Sequence, residues 1–445
     1  MLFLNITMLE ELKNKKILIL GFGKEGKDNF LFLRKLFPKK ILAIADRSEK
    51  IKKPGRDAVL HLGKNYLHSL KKYDVIVKSP GIPFKILPKP VLKKVTTQTD
   101  IFFDNCPGQI VGITGTKGKS TTTSLIYEIL KKDGKSAHLV GNIGKPVLNL
   151  LFSAKSRDIY VYELSSHQLY NLKKSPQLAV FLNIYPEHLD YYKNFQEYIN
   201  AKANIARYQT KDDYLIYNAG DKIVREIAKK SKIELPQKAK GKKRISFSSP
   251  AKKIPVRGKY YELNKAAARA VGKIFKVPSK IIDKAIKEFK YLPHRLELVG
   301  TFRGITFYND ALATIPEATM AAIDSLGPRV QTIMLGGFER NIDFKNLAKK
   351  VLQSKIKTVI LFPTTGERIW KEIMKLSRGR GVPEHFSTDN MRDAVKLAYR
   401  HTGKRKICLL STASSSFSIF RDYKEKGNLF KKQVFAQAKT KMKGR

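Results

Sequence analysis

Cysteine is scarce in this chain: two of its 445 residues, Cys106 and Cys408, carry thiols, and they stand far apart. That excludes a disulfide scaffold and a cysteine-rich zinc fold, and it suits a reducing cytoplasm. Long hydrophobic runs are missing too. None approaches the roughly 18–20 residues of a membrane span. The opening MLFLNITM is too short for a signal peptide and has neither a basic start nor a cleavage motif. Met1 and Met8 are both candidate starts. There is no long low-complexity linker and no short-period repeat.

Acid is the other shortage. Asp and Glu number 38 against 87 Lys and Arg, a net charge of +49 and a pI near 10.1. Such a balance favours polyanionic partners. A nucleic-acid-binding ATPase would interleave its basic residues with stacking aromatics along one groove, and no such stripe is present. Dedicated nucleic-acid binding is therefore not expected. Segment 222–244 holds ten basic residues against two acidic ones, and the last fifteen residues hold six basic and no acidic ones. The remaining lysines are spread along the chain, a compositional bias that would also attract polyanionic small substrates. With 42% hydrophobic and 10% aromatic residues the chain can bury real cores. Its length predicts about two to four domains.

Three segments rich in strand–helix alternation follow one another. The first runs from an apolar strand, Ile17–Leu20, into Gly21-x-Gly23-x-x-Gly26 and a helix, and a second strand ends in Asp46. That is the layout of a dinucleotide-type βαβ unit, with glycines for tight turning and close phosphate approach. A tight strand–helix turn without a ligand would read the same way. The second segment carries strand QIVGIT, the loop Gly115-Thr-Lys-Gly118-Lys119-Ser120-Thr121, and a helix with Leu125, Ile126, Ile129 and Leu130 on its apolar face. The third carries strands TIMLGG, TVILFP and KICLLS separated by helical stretches. The alternation predicts α/β architecture with doubly wound, mostly parallel sheets.

The loop Gly112–Thr121 is the most specific element. Between strand and helix its N–H groups can cradle phosphates. Lys119 can reach the β/γ oxygens, and the Ser120 hydroxyl can reach Mg2+. The usual pattern has glycine five positions before Gly118. Ile113 stands there, and Gly112 and Gly115 replace it. Glu163 ends an apolar strand, where a carboxylate beside a phosphate loop is either an Mg2+ ligand or a solvated strand end. His188 and Asp190 leave another apolar strand at the same predicted edge. Lys202, on a helix beside Tyr198, Ile199 and Ile205, reads from its residues alone as a surface lysine.

GITGTKGKST (112–121), GNIG (141–144), ELSSHQL (163–169), the His188 strand end, Lys202, LPHRLE (292–297), Asn309-Asp310 and LLSTASSSF (409–417) occur in one order. Together they resemble the Mur ligases, ATP-dependent amide ligases of peptidoglycan precursor synthesis, over nearly the whole chain. The branch most similar adds D-glutamate to UDP-N-acetylmuramoyl-L-alanine. The resemblance implies three α/β domains: a Rossmann-like UDP-binding domain at 1–106, a central P-loop ATPase at 107–293, and a Rossmann-like amino-acid-binding domain at 294–445. Gly23, Asp46, Arg47, Ser79, Pro80, Gly81 and Asn142 would contact the UDP-substrate, so the glycine-rich turn need not mean NAD. Gly115, Thr116, Lys117, Gly118, Lys119, Ser120, Thr121, Asn264, Arg295 and Asp310 would bind ATP. Ser120 and Glu163 would hold one Mg2+, and His188 with a carbamylated Lys202 a second. Lys119, Glu163, His188 and Lys202 would thus be the catalytic set, and Arg340, Ser416 and Tyr423 would frame the amino acid. A cytoplasmic monomer is expected.

Some residues depart from that pattern. Tyr260 and Tyr261 stand where relatives often have His-Asn before the adenine contact. Ala311-Leu312 follows Asn309-Asp310 where Ser-Lys is usual, and Arg340 replaces a common lysine. A guanidinium can still hold a carboxylate bidentately. The run 309–319 also looks somewhat like the sister branch that adds L-glutamate, which stands as the alternative. A folylpolyglutamate synthase would lack the hundred residues before the phosphate loop. A non-catalytic scaffold would have lost Lys119 or Glu163.

Overall fold

The computed structural model describes residues 11–143, 147–188, 191–230, 243–248, 256–289, 292–340, 342–379 and 381–439. Met1, Met8, Gly144, Asp190, the side chain of Tyr260, residues 231–242 of the basic segment and the terminal residues 440–445 lie outside them.

Apolar runs become three sheets. The first comprises β1 (Ile17–Leu20), β2 (Leu42–Asp46), β3 (Ala58–Leu62), β4 (Val75–Lys78) and β5 (Val95–Thr97), in the order β3-β2-β1-β4-β5 with every pairing parallel. β1 and β2 are buried almost throughout, as strands covered on both faces must be. The strand order reverses at β1, and the glycine-rich turn leaves that strand at its carboxyl end. Ligands of open α/β sheets bind in such crevices. Helix α1 (Lys24–Leu36) follows. Gly26 is required for that packing, because a Cβ there would come 2.0 Å from the Gly21 carbonyl oxygen.

The second sheet holds β6 (Gln109–Thr114), β7 (Ala137–Gly141), β8 (Ile159–Glu163), β9 (Leu178–Phe181), β10 (Tyr214–Asn218) and β11 (Lys243–Phe247), ordered β11-β10-β9-β6-β8-β7 and again wholly parallel. Its order reverses at β6, so the segments after β6, β8 and β9 leave one edge side by side. Helix α2 (Lys119–Lys132) buries Leu125, Ile126, Ile129 and Leu130. Removal of each such side chain from water contributes about 1.5–3 kcal/mol. One apolar cluster runs through both sheets, with Phe102 edge-on to Tyr160 at 5.1 Å and to Tyr162 at 5.7 Å. The two sheets share one compact unit.

A second unit carries the third sheet: β12 (Glu297–Phe302), β13 (Ile305–Asn309), β14 (Val330–Gly336), β15 (Thr358–Phe362), β16 (Glu384–Ser387) and β17 (Ile407–Leu410), ordered β12-β13-β17-β14-β15-β16. The edge pairing β12–β13 is antiparallel and the rest are parallel. Alternate residues face opposite ways: Ile333, Leu335, Val359 and Leu361 enter one cluster, while Met334, Ile360 and Phe362 enter the other. Among the described residues no helix is long and apolar enough to cross a membrane.

Candidate active site

The loop between β6 and α2 is built around glycine. Gly118 has φ +86, and a Cβ there would meet the Asn264 Oδ1 at 2.5 Å, so both conformation and space demand glycine. Asn264 lies under the loop, where its Oδ1 accepts from the Thr122 hydroxyl at 3.2 Å. Asn183, after β9, binds the loop at two points: its Oδ1 accepts from the Lys117 N–H at 2.8 Å and its amide donates to the Lys117 carbonyl at 3.0 Å. Thr116 accepts from the Tyr185 N–H at 2.9 Å and shares a hydrogen bond with the Tyr198 hydroxyl at 2.9 Å. The loop shape is therefore set before any phosphate arrives.

Charge gathers at this edge. The Lys119 ammonium donates to the carbonyls of Gly115 at 2.8 Å and Thr116 at 3.0 Å. Ser120 is buried at the first turn of α2, with Thr121 half-buried beside it. Lys117 pairs with Glu187 at 2.9 Å. Burial alone would raise the Glu187 carboxyl, but Lys117, Lys119 and His188 outweigh it and hold the group at about 2.

Glu163 ends β8 with 1% of its surface exposed. One carboxylate oxygen accepts from the Asn142 amide at 3.1 Å; the other, Oε2, is buried without a hydrogen-bond partner. An orphaned anionic oxygen is costly to bury, and it is the donor a hard cation takes. Among the described residues no group of three or more His, Cys, Asp or Glu side chains is placed to hold a metal ion by itself. That donor set fits Mg2+, which commonly takes one or two carboxylates and completes its shell with phosphate and water.

Lys202 corrects the reading from residues alone. It is 1% exposed, on helix α3 (Phe195–Arg207), and its amine donates to the Gly115 carbonyl at 2.9 Å. Burial first, then Lys119, push its pKa well below the ordinary lysine range, with Glu187 and Glu163 opposing. A surface lysine and a buried one look alike on a helix whose other face is apolar. His188, with φ +58, is held by its carbonyl accepting from the Tyr191 and Tyr192 N–H groups at 3.0 and 3.1 Å. Its ring meets His167 edge-on at 4.7 Å. Burial, then His188 and Lys202, lower the His167 pKa to about 3, so this imidazole is neutral at physiological pH. His167, Asn183 and Glu187 join the site beyond the residues singled out from sequence; His167 sits inside the motif ELSSHQL, and Asn183 and Glu187 lie on the stretch that leads from the strand to His188.

In the first sheet, Asp46 accepts from the Phe22 N–H at 2.7 Å and the Ser48 N–H at 2.8 Å, which shapes the glycine-rich turn next to Gly23. The Ser79 hydroxyl donates to the Gly21 carbonyl at 2.8 Å. Arg47 and Gly81 are exposed and Pro80 is half-buried at the same edge. Asn142 sits instead at the end of β7, against Glu163.

In the second unit, Asp310 follows β13. Its carboxylate accepts from the Ser411 hydroxyl at 2.9 Å and the Leu296 N–H at 3.0 Å, beside Arg295; burial raises its pKa to about 6. The Arg340 guanidinium lies 6.0 Å from the Phe417 ring centroid, next to Ser416, whose Oγ is buried without a partner. Tyr423 opens helix α4 (Tyr423–Lys439) and packs edge-on to His294 at 6.0 Å. Lys426, in the first turn of α4, is 1% exposed; its ammonium donates to the Thr412 hydroxyl at 2.5 Å, and burial lowers its pKa to about 7 against the pull of Asp310.

A profile of the Mur ligase middle domain matches residues 113–287, and one of the Mur ligase glutamate ligase domain matches 294–414. The chain is 33% identical to a UDP-N-acetylmuramoylalanine–D-glutamate ligase of Acetivibrio thermocellus, over 96% of this chain and 97% of the relative. It is 32% identical to a protein of the same name from Clostridium botulinum, over 95% and 97%. Its fold is similar to that of a MurF ligase from Thermotoga maritima in complex with ADP, at TM-score 0.59 and 14% identity, covering 96% and 97% of the two chains. The chain belongs to the Mur ligase family, the ATP-dependent amide ligases of peptidoglycan precursor synthesis.

Proposed function

We propose that this chain joins D-glutamate to UDP-N-acetylmuramoyl-L-alanine through an acyl phosphate. The observation that carries the reading is the buried, half-unpaired Glu163 carboxylate beside a phosphate-type loop with Lys119 and Lys202 turned onto it. A carboxylate is a poor acyl donor because its leaving group would be oxide. Attack by one carboxylate oxygen on the γ-phosphorus of ATP, with departure of ADP, gives a phosphate leaving group. The glutamate amine then attacks the acyl carbon, loses a proton, and phosphate departs.

Gly115–Thr121 would orient the phosphates and Lys119 would offset their charge. Ser120 and Glu163 would hold one Mg2+; His188 and Lys202 would serve a second. Bound Mg2+ would neutralise charge on the phosphate oxygens. Lys202 fits its role because burial and then Lys119 favour its neutral amine over the ammonium. That amine adds to CO2, forms an N–C bond, sheds one proton and becomes an anionic carbamate. Gly23, Asp46, Arg47, Ser79, Pro80, Gly81 and Asn142 would receive the UDP-substrate. Asn264, Arg295 and Asp310 would complete the ATP site, and Arg340, Ser416 and Tyr423 the amino-acid site. Domains at 1–106, 107–293 and 294–445, a monomer and a cytoplasmic location belong to this reading.

The test is phosphate release from ATP and UDP-N-acetylmuramoyl-L-alanine with D-glutamate or L-glutamate in separate reactions. Release with D-glutamate alone is expected. Release with L-glutamate alone would assign the sister activity and make 309–319 its determinant. Silence with both would reject the substrate.

A further inference from the structure

The turn Ser79–Ile82 and the edge that carries His188 and Lys202 belong to different sheets of one unit. The Tyr191 side chain joins them directly. The Tyr191 hydroxyl lies 3.2 Å from both the Pro80 and the Ile82 carbonyl oxygens, and its one proton serves one or is shared by both. The same residue's N–H donates to the His188 carbonyl at 3.0 Å. Its ring stands edge-on to His167 at 4.2 Å, and His167 stands edge-on to His188 at 4.7 Å. Tyr191 is thus tied to the His188 strand end through its backbone and through two ring contacts, and to the turn through its hydroxyl.

The turn is stiff on its own side. The Ile82 N–H donates to the Ser79 carbonyl at 3.2 Å, and the buried Lys78 ammonium donates to the carbonyls of Ser79 at 3.0 Å and Ile82 at 2.8 Å. The hydroxyl of Tyr191 therefore grips a preformed element. What it adds is the spacing between that element and the His188 edge.

We propose that Tyr191 is a positioning residue that sets the distance between the nucleotide-holding turn 79–82 and the reacting edge at His188 and Lys202, so that a substrate held by its diphosphate delivers its carboxylate in register. The proposal rests on the ligase reading above. A nucleotide-linked substrate would span both elements, whereas UDP alone would reach only the first-sheet edge that carries the turn. When a reactant is held at one end, a shift of about 1 Å at the other costs up to about a hundredfold in rate. The turn itself keeps its Lys78 contacts without Tyr191.

The experiment compares the wild-type chain with Tyr191→Phe, which keeps the ring contacts and removes only the hydroxyl. UDP and ATP binding are measured by calorimetry, and kcat is measured with UDP-N-acetylmuramoyl-L-alanine, ATP and the accepted glutamate. We expect UDP and ATP affinities within about twofold of wild type and a kcat about tenfold lower. Unchanged kcat would overturn the proposal. Equal losses of UDP affinity and kcat would overturn it too, because Tyr191 would then be shaping the turn rather than its spacing. A wild-type chain that binds UDP and ATP but ligates neither glutamate would defeat the ligase reading itself, and the spacing role with it.

Discussion

Lys202 and Lys426 are both nearly inaccessible, and a buried ammonium is costly unless it is paired or neutral. Each has its pKa lowered by burial, Lys202 well below the ordinary value and Lys426 to about 7. The folded state thus binds fewer protons than the unfolded chain between that pKa and the lysine value of 10.5. Stability must rise with pH across this window. Measured by urea unfolding, wild type relative to Lys426→Met should gain up to about 1.4 kcal/mol per pH unit between pH 7 and 10. A flat difference would show that Lys426 stays charged in the fold. Neither lysine announced its burial in the sequence. Lys426 sits in a Lys-rich helix and Lys202 is the one lysine of its own, in a chain where surface lysine is the rule, and burial of a polar side chain is decided by what packs over it. Leu125, Ile126, Ile129 and Leu130 were legible because an apolar residue at helical spacing has one favourable destination.

At the scale of elements, the strand-to-helix turns carry the chemistry, and their glycines are the fragile points. Gly118→Ala places a Cβ 2.5 Å from Asn264 Oδ1 at φ +86. Strain of this kind costs about 1–3 kcal/mol. ATP affinity, followed by calorimetry, should fall at least tenfold while the apolar face of α2 still folds. Normal ATP binding by this variant would remove the loop from the nucleotide site. The strands before these turns were readable from their unbroken apolar runs, and β6, β8, β9, β14, β15 and β17 all formed. The edge strands β12 and β16 were not read in advance. Glu384–Ser387 is short, polar and largely uncovered, and Glu297–Phe302 is half-buried, with a register shift between Leu298 and Gly300, so their pairing is fixed by a neighbour rather than by their own pattern. Tyr191 was equally hidden, because its partners Pro80 and Ile82 lie more than a hundred residues away.

For the whole molecule, an excess of 49 positive charges meets substrates that are polyanions. Long-range attraction should speed their capture and be screened by salt, since the Debye length falls from about 30 Å at 0.01 M to about 8 Å at 0.15 M ionic strength. kcat/KM for the UDP-substrate should drop several-fold across that range with kcat nearly constant. No change would leave the charge without a part in capture. The central claim, that this chain is a ligase working through an acyl phosphate, is tested most directly by isotope transfer. UDP-N-acetylmuramoyl-L-alanine labelled with 18O in its carboxylate is incubated with ATP and glutamate, and the released phosphate is analysed by mass spectrometry. The account predicts one 18O atom in each phosphate formed during ligation, because the carboxylate oxygen that attacks phosphorus leaves with it. Ligation accompanied by unlabelled phosphate would contradict it.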